Sequence, residues 1–379
     1  MGMHLMDGNE AVAWAAHDAG CRFFAGYPIT PATGIFNAML EILPPAGGVC
    51  LQGEDEIASI GMCLGASMAG HKVMTATSGP GISLYSEHLS FAIGSEIPVV
   101  IVDVQRLGPS TGSATRAADG DIQFLRWGCS GGMPVIVLAP ADAVDCYRLT
   151  RQAFNLAETY RCPVFVASNK EVGLTREGID LQALPRPEVK DRAAFQGPGP
   201  FLPFAAGPGQ DVPAFLPMGG QTLVRQTSST HGPDGYITTD PEAIGACVAR
   251  LQRKLLAAVD SFTFSVFEGS QQARVMILTY GVTARAARSA LEQLLDRGVQ
   301  ASLLVLQTLW PVPEAVIEAR AARAEQVLVV EMNLGQLVHE VERVLKPKPV
   351  RFLGRMNGQL ITPGEIMEAV QDERLSAEH

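Results

Sequence analysis

Short apolar runs rich in valine and isoleucine alternate with longer stretches of helical character along the chain. Runs of this kind, bounded by turn residues, suit parallel strands covered by helices on both faces. They predict strands near 21–25, 48–52, 72–77, 97–103, 133–138 and 163–167. Helices are expected between them, near 9–19, 31–43, 54–69, 81–94 and 141–160. This alternation makes residues 1–175 one α/β unit. The rhythm breaks over 176–240, where Gly197-Pro198-Gly199-Pro200, Pro203, Gly207-Pro208-Gly209-Gln210 and Gly219-Gly220 are loop signals. The same segment carries Phe195, Phe201, Phe204 and Phe215, so an ordered arm packed on a partner or over a site is expected. A helix over 241–260 then opens a second α/β unit, 241–379. Its strands are expected near 273–280, 300–305, 326–331 and 350–353, and its helices near 283–297, 313–321, 334–346 and 363–372.

Candidate chemistry gathers in the first unit. Glu54, Asp55 and Glu56 precede a helix whose Ile57, Gly61, Gly65 and Ala69 share one face. Acids in a first helical turn gain about 0.3–1 kcal/mol from the helix dipole, so the trio has a structural explanation of its own. Glu56 is the functional candidate, because it lies deepest into the helix, directly before the apolar run, where a carboxylate is partly desolvated. The two helical glycines cost about 1 kcal/mol each relative to alanine, which points to close approach by a second helix or a ligand. The strand 72–77 then runs into Thr77-Ser78-Gly79-Pro80-Gly81. A carboxylate and a bare backbone loop thus reach one end of a sheet, as a flat heterocycle held by one acid and main-chain groups requires.

Ligands of open α/β sheets gather at the carboxyl ends of strands, where Tyr27-Pro28-Ile29-Thr30-Pro31 and Arg106 also fall. Thr30 reads both as a helix N-cap, with Pro31 in the first helical position, and as a hydroxyl for a ligand. Arg106 suits a carboxylate gripped by two parallel hydrogen bonds. Arg116 reads as a solvated loop arginine and His231 as a surface turn histidine.

The formal net charge of −10 argues against a general nucleic-acid binder, and no basic run offsets it. No apolar stretch reaches the length of a membrane span, and the amino terminus lacks a signal-peptide pattern, so a cytoplasmic protein without membrane attachment is expected. Cys21, Cys50, Cys63, Cys129, Cys146, Cys162 and Cys247 form no Cys-x-x-Cys pair and read as buried thiols. Neither an iron–sulfur cluster nor a zinc site is expected on this chain.

Glu56 with its small-residue helix, and Thr77-Ser78-Gly79-Pro80-Gly81, resemble the pyrimidine-binding domain of thiamine-diphosphate enzymes. In that family a glutamate at the matching position hydrogen-bonds N1′ of the aminopyrimidine and favours the imino tautomer that removes the thiazolium proton. The Gly26-Tyr27-Pro28-Ile29-Thr30-Pro31 turn narrows the resemblance, as does the stretch 102–121. Together they are similar to alpha subunits of 2-oxoacid:ferredoxin oxidoreductases, most of all to the 2-oxoglutarate branch. The resemblance covers essentially the whole chain, strongest over 8–170 and weaker over 185–235.

The resemblance implies an α/β pyrimidine-binding domain over 1–175, the irregular arm 176–240, and a transketolase C-terminal-like α/β domain over 241–379. The last matches best at 306–313 and 329–336 and carries no chemistry of its own. Thiamine diphosphate would be bound by Tyr27, Pro28, Ile29, Glu56, Ser78, Gly79, Pro80 and Gly81, with Glu56 catalytic. Thr30 and Arg106 would bind the 2-oxoacid. The implied reaction converts 2-oxoglutarate, coenzyme A and oxidised ferredoxin to succinyl-CoA, CO₂ and reduced ferredoxin. The usual Mg²⁺ motif, Gly-Asp-Gly followed by Asn-Asn, is missing; Asp119-Gly120-Asp121 is the nearest approach. Mg²⁺, the diphosphate site and at least one iron–sulfur cluster are therefore expected on a beta subunit. Smaller gamma and delta subunits are candidates for more clusters and for coenzyme A contacts. The alternatives are another 2-oxoacid such as a branched-chain one, a non-redox thiamine-diphosphate decarboxylase or synthase, and a non-catalytic subunit.

Overall fold

The computed structural model describes residues 2–197 and 199–372; Met1, Pro198 of the loop signal at 197–200, and 373–379 at the end of the expected second unit lie outside the described residues. In the first half, β1 (Met3–Asp7), α1 (Gly8–Asp18), β2 (Phe23–Gly26), α2 (Thr33–Ile42), β3 (Val49–Gln52) and α3 (Glu56–Met68) follow one another. Next come β4 (Val73–Thr77), α4 (Gly79–Leu84), α5 (Ser86–Gly94), β5 (Val99–Gln105), α6 (Ile122–Trp127) and β6 (Ile136–Leu138). The half closes with α7 (Ala143–Tyr160), β7 (Pro163–Asn169), α8 (Lys170–Leu174) and β8 (Arg176–Asp180). The second half holds α9 (Pro241–Leu256), β9 (Ser265–Gly269), β10 (Val275–Thr279), α10 (Thr283–Asp296), β11 (Ala301–Leu306) and β12 (Thr308–Trp310). It ends with α11 (Glu314–Ala321), β13 (Gln326–Glu331), α12 (Val338–Leu345), β14 (Val350–Gly354) and α13 (Pro363–Gln371).

The apolar runs become the middle of a sheet of order β12-β6-β7-β5-β4-β2-β3, parallel except for β12. Every residue of β4, β5 and β7 is buried. Alternate side chains of β5 enter two cores: Val100, Val102 and Val104 join the cluster that holds residues of α1, α2 and α7, while Val99 and Ile101 join the one that holds residues of α3 and α5. Each such burial contributes about 1.5–3 kcal/mol. The second half builds its own sheet, β14-β13-β10-β11-β9, parallel except for β9.

Several elements depart from expectation. The strands β1, β8, β9 and β12 and the helices α6 and α8 are short, and periodicity did not reveal them. The helix expected over 81–94 is two helices divided at Tyr85, whose buried hydroxyl pairs with Thr75 Oγ1 at 2.9 Å. The helix expected from residue 31 begins at Thr33 with Ala32 at its N-cap, so Thr30 is not the cap. The Thr30–Pro31 peptide is cis, and the Pro31 carbonyl accepts from Asn9 Nδ2 at 2.9 Å instead of entering the helix. The strand β12 lies antiparallel to β6, and its last residue, Trp310, donates from Nε1 to the Ile122 carbonyl at 3.0 Å. The second half of the chain therefore completes an edge of the first sheet.

The segment between the two halves is pinned by buried guanidinium groups. Arg161, in the left-handed region at the end of α7, donates to the carbonyls of Pro203, Pro213 and Ala214. Arg192 pairs with Glu158 at 2.7 Å and donates to the Ser67 and His71 carbonyls. Both face the Phe215 ring. Irregular backbone has no ladder to satisfy its carbonyls, and the arginines supply the missing donors. Among the described residues no helix is long and apolar enough to cross a membrane.

Candidate active site

Four adjacent parallel strands, β3, β2, β4 and β5, end on one edge of the first sheet. At about 4.8 Å per strand this edge spans roughly 14 Å. Each strand delivers part of the expected site. Glu56 follows β3, Tyr27 to Thr30 follow β2, Ser78 to Gly81 follow β4, and Arg106 follows β5.

Asp55, in extended backbone, caps α3 by accepting from the Ala58 amide at 2.7 Å. Glu56 is thus the first helical residue and is 7% exposed, while Glu54 stays outside the helix in solvent. Gly81 presses on the Glu56 side chain. A Cβ at Gly81 would stand 2.8 Å from Glu56 Cγ and Oε1 and 2.0 Å from Thr77 Oγ1. Thr77 Oγ1 and Ser78 Oγ are buried without a hydrogen-bond partner among the described residues. A buried carboxylate, two unsatisfied hydroxyls and a turn bare of side chains suit the aminopyrimidine end of thiamine diphosphate.

Gly81→Ala is expected to lower the stability of the chain by about 1–3 kcal/mol, because the added methyl overpacks this contact. Gly65→Ala is the control. No atom lies within 4 Å of that added methyl, so the substitution should gain about 1 kcal/mol of helix propensity. Thermal melts of the two variants should move in opposite directions, and a neutral Gly81→Ala would remove the close approach. The small-residue face of α3 does not pack inside this chain: Ile57, Gly65 and Ala69 are exposed, and Gly61 meets only His88.

Arg106 is 7% exposed, and its Nη1 donates to the Thr30 carbonyl at 2.6 Å. The two residues expected to share a ligand are therefore joined through the main chain, with Thr30 itself exposed. Tyr27 is exposed, and Pro28 and Ile29 are half-buried. Arg116 is a solvated loop residue packed beside Gly358. His231 is no surface histidine. It is 4% exposed, lies against the Phe204 ring, and has Cys247 Sγ 3.9 Å from Nε2. Cys21, Cys63, Cys146 and Cys162 are buried, whereas Cys50, Cys129 and Cys247 are half-buried.

Asp103, which sequence reasoning did not single out, and Asp119 and Asp121, noted there only as the nearest approach to a Mg²⁺ motif, also converge on this edge. Asp103, inside β5, and Asp119, in the loop after it, are buried, and Asp121 of the same loop is half-buried. Burial, then the charge of Asp121, push the Asp103 carboxyl well above the usual range. Burial lifts Asp119 to about 7 against the hydrogen bond from Asn169. It lifts Asp121 to about 6, opposed by Asp103 and Arg106. The second half of the chain clamps this loop. Asn333 Nδ2 donates to the Asp119 carbonyl at 2.9 Å, Gln336 Nε2 to the Gly120 carbonyl at 2.6 Å, and the Asp119 amide to the Met332 carbonyl at 2.9 Å. For Asp103 the sequence signal was an acid directly after the apolar run 99–102. Among the described residues no three His, Cys, Asp or Glu side chains are placed to hold a metal ion.

Residues 14–244 match the family described as pyruvate flavodoxin/ferredoxin oxidoreductase, thiamine diphosphate-binding. Residues 273–366 match pyruvate:ferredoxin oxidoreductase core domain II. The chain is 41% identical over 370 residues to 2-oxoglutarate synthase subunit KorA of Methanothermobacter thermautotrophicus, covering 97% of this chain and 98% of the relative. A solved structure of 2-oxoglutarate:ferredoxin oxidoreductase from Magnetococcus marinus, with 2-oxoglutarate, coenzyme A and succinyl-CoA bound, superposes with a TM-score of 0.93 at 34% identity. That match covers 98% of this chain, which spans 65% of the length of the solved one. A split-gene transketolase, an inactive beta4 tetramer, shares the fold at a TM-score of 0.58 and 15% identity over 98% of this chain and 99% of that one.

Proposed function

Because the chain belongs to the pyruvate flavodoxin/ferredoxin oxidoreductase family, we propose that it is the alpha subunit of a 2-oxoglutarate:ferredoxin oxidoreductase. The complex would use thiamine diphosphate and coenzyme A to convert 2-oxoglutarate to succinyl-CoA and CO₂, passing electrons to ferredoxin. The observation that carries this reading is the shared edge: buried Glu56 against the bare Gly81 turn, with Arg106, three strands along the edge, locked on the Thr30 carbonyl. Residues 1–175 would form the pyrimidine-binding domain, 176–240 the arm, and 241–379 the transketolase C-terminal-like domain.

When bound, thiamine diphosphate supplies the electron sink for decarboxylation. Glu56 would hold a proton at the aminopyrimidine nitrogen that it faces, from a site dry enough to keep its hydrogen bond strong. Ser78 Oγ and the backbone of Gly79, Pro80 and Gly81 would line the ring, with Tyr27, Pro28 and Ile29 on the neighbouring turn. Arg106 would bind the substrate carboxylate through a two-pronged hydrogen bond, its plane set by the Thr30 carbonyl, and the Thr30 hydroxyl would meet the same substrate. With the Mg²⁺ motif missing from this chain, a beta subunit would bring Mg²⁺, the diphosphate contacts and an iron–sulfur cluster. Gamma and delta subunits would add clusters and coenzyme A contacts. The exposed face of α3 around Ile57 and Gly65, directly behind Glu56, is where such a partner would approach.

The test is anaerobic co-expression with the beta subunit, then coenzyme A-dependent reduction of a low-potential dye across a panel of 2-oxoacids. Preference for 2-oxoglutarate is expected. Preference for a branched-chain 2-oxoacid would overturn the substrate, and no reduction by a complex holding thiamine diphosphate and clusters would overturn the activity. In the same assay Arg106→Lys keeps the charge and loses the fork. A hydrogen bond to a charged group is worth about 1.5–3 kcal/mol, so KM for 2-oxoglutarate should rise by roughly 10–100-fold with kcat changed far less. An unchanged KM would remove Arg106 from the substrate site.

A further inference from the structure

Asp103 closes a run of valines and isoleucine in the central strand, three residues before Arg106, and is fully buried. Among the described residues neither of its carboxylate oxygens meets an N–H or O–H donor, and neither does Oδ2 of Asp121. Asp121 is fixed nearby. Its amide donates to Gln105 Oε1 at 2.9 Å, and its Oδ2 faces the Gly79 turn, 3.4 Å from where a Cβ at Gly79 would stand. Asp103 pairs with Thr77 in the β4–β5 ladder and Asp121 Oδ2 lies at the turn that follows Thr77, so the two acids share one strand end. Leaving buried acceptors unpaired is costly, and two neighbouring carboxyls without donors are satisfied together by a proton held between them. The charged and titratable surroundings are few. Arg106 acts on Asp121; Asp119 lies beside both acids and is held by Asn169 Nδ2 at 2.7 Å; Glu331 and Tyr280 stand behind Asp119.

We propose that Asp103 and Asp121 hold one proton between them and, as a singly charged pair, form the counterion that positions Arg106 for the carboxylate of the 2-oxoacid. The pair's role rests on the reading of Arg106 as the substrate-binding arginine. Before substrate arrives, one guanidinium and one singly charged pair are neutral together. The incoming carboxylate adds a negative charge to a dry site, and uptake of a second proton from solvent by the pair restores neutrality. Substrate binding is then linked to proton uptake, and Asp103 and Asp121 are positioning residues that never touch the reacting carbon.

Two measurements on the anaerobic alpha–beta complex test this. Infrared spectroscopy at neutral pH should show the carbonyl stretch of a protonated buried carboxyl in the difference between the wild type and Asp103→Asn, where the contribution of Asp119, present in both, cancels. Absence of that difference band overturns the shared proton whatever the activity. In the dye assay, KM for 2-oxoglutarate should rise with pH above the point where Asp121 titrates, by up to about tenfold per pH unit for one linked proton. Asp121→Asn should flatten that profile while kcat moves much less than KM. A wild-type slope in Asp121→Asn overturns the positioning role. A complex that shows the band but turns over no 2-oxoacid supports the shared proton and overturns the reading of Arg106.

Discussion

Glu56→Gln should lower kcat of the assembled complex by about two to four orders of magnitude, the range typical of a lost general acid–base group. Glutamine has nearly the same shape, so the contact with the Gly81 turn and the cap from Asp55 survive, and the melting temperature should hardly move. What is lost is an ionisable oxygen at a position 7% exposed, where no water chain replaces it cheaply. The measurement is steady-state dye reduction at saturating thiamine diphosphate, with a thermal melt on the same preparation. Full activity in Glu56→Gln would take Glu56 out of the chemistry and leave the acid a helix-terminal residue with no further role.

The second large effect concerns stability. Glu96 is fully buried, and its carboxylate accepts from Arg250 Nη2 at 2.6 Å and from Lys254 Nζ at 2.9 Å, both on α9. The same two cations reach the Asp211 and Arg161 carbonyls, so one carboxylate ties α9, the arm and the end of α7 to the first sheet. Glu96→Ala leaves two cations buried without their counterion and should cost about 3–5 kcal/mol. Urea unfolding measures it, and a loss under 1 kcal/mol would mean that water replaces the carboxylate.

The pH dependence has a definite sign. Burial alone would raise the Glu96 carboxyl; Lys254 and Arg250 outweigh it and hold the group at about 2, below its usual 4.5. A depressed carboxyl stabilises the fold above its unfolded value and loses that contribution as pH falls. About 3 kcal/mol is therefore present above pH 4.5 and disappears between there and pH 2. Glu96→Gln should erase this part of the acid unfolding profile.

Local pattern carried a great deal here. The runs at 72–77, 97–103 and 163–167 became β4, β5 and β7, because a strand buried on both faces must be apolar at every position, and that is visible without knowing its neighbours. Parallel strands in turn oblige their carboxyl ends to share an edge, so Glu56, Thr30, Gly81 and Arg106 had to come near one another once the strands were adjacent. Thr30 was misread as a cap because capping signals are local, while the contact that prevents it, Asn9 to the Pro31 carbonyl, spans 22 residues. His231 looked like a turn residue for the same reason: Phe204 and Cys247 cover it from distant positions.

By itself the sequence determined the alternation of strand and helix, the edge on which chemistry gathers, and the acid and arginine that stand there, since each follows from periodicity or from a short motif. Only the tertiary structure decided how that edge is held. The loop carrying Asp119 and Asp121 is clamped by Asn333 and Gln336 across more than 200 residues, and β12 from the second half closes the first sheet. Contacts so remote leave no period in the chain, because each partner needs only to be polar and in the right place after folding.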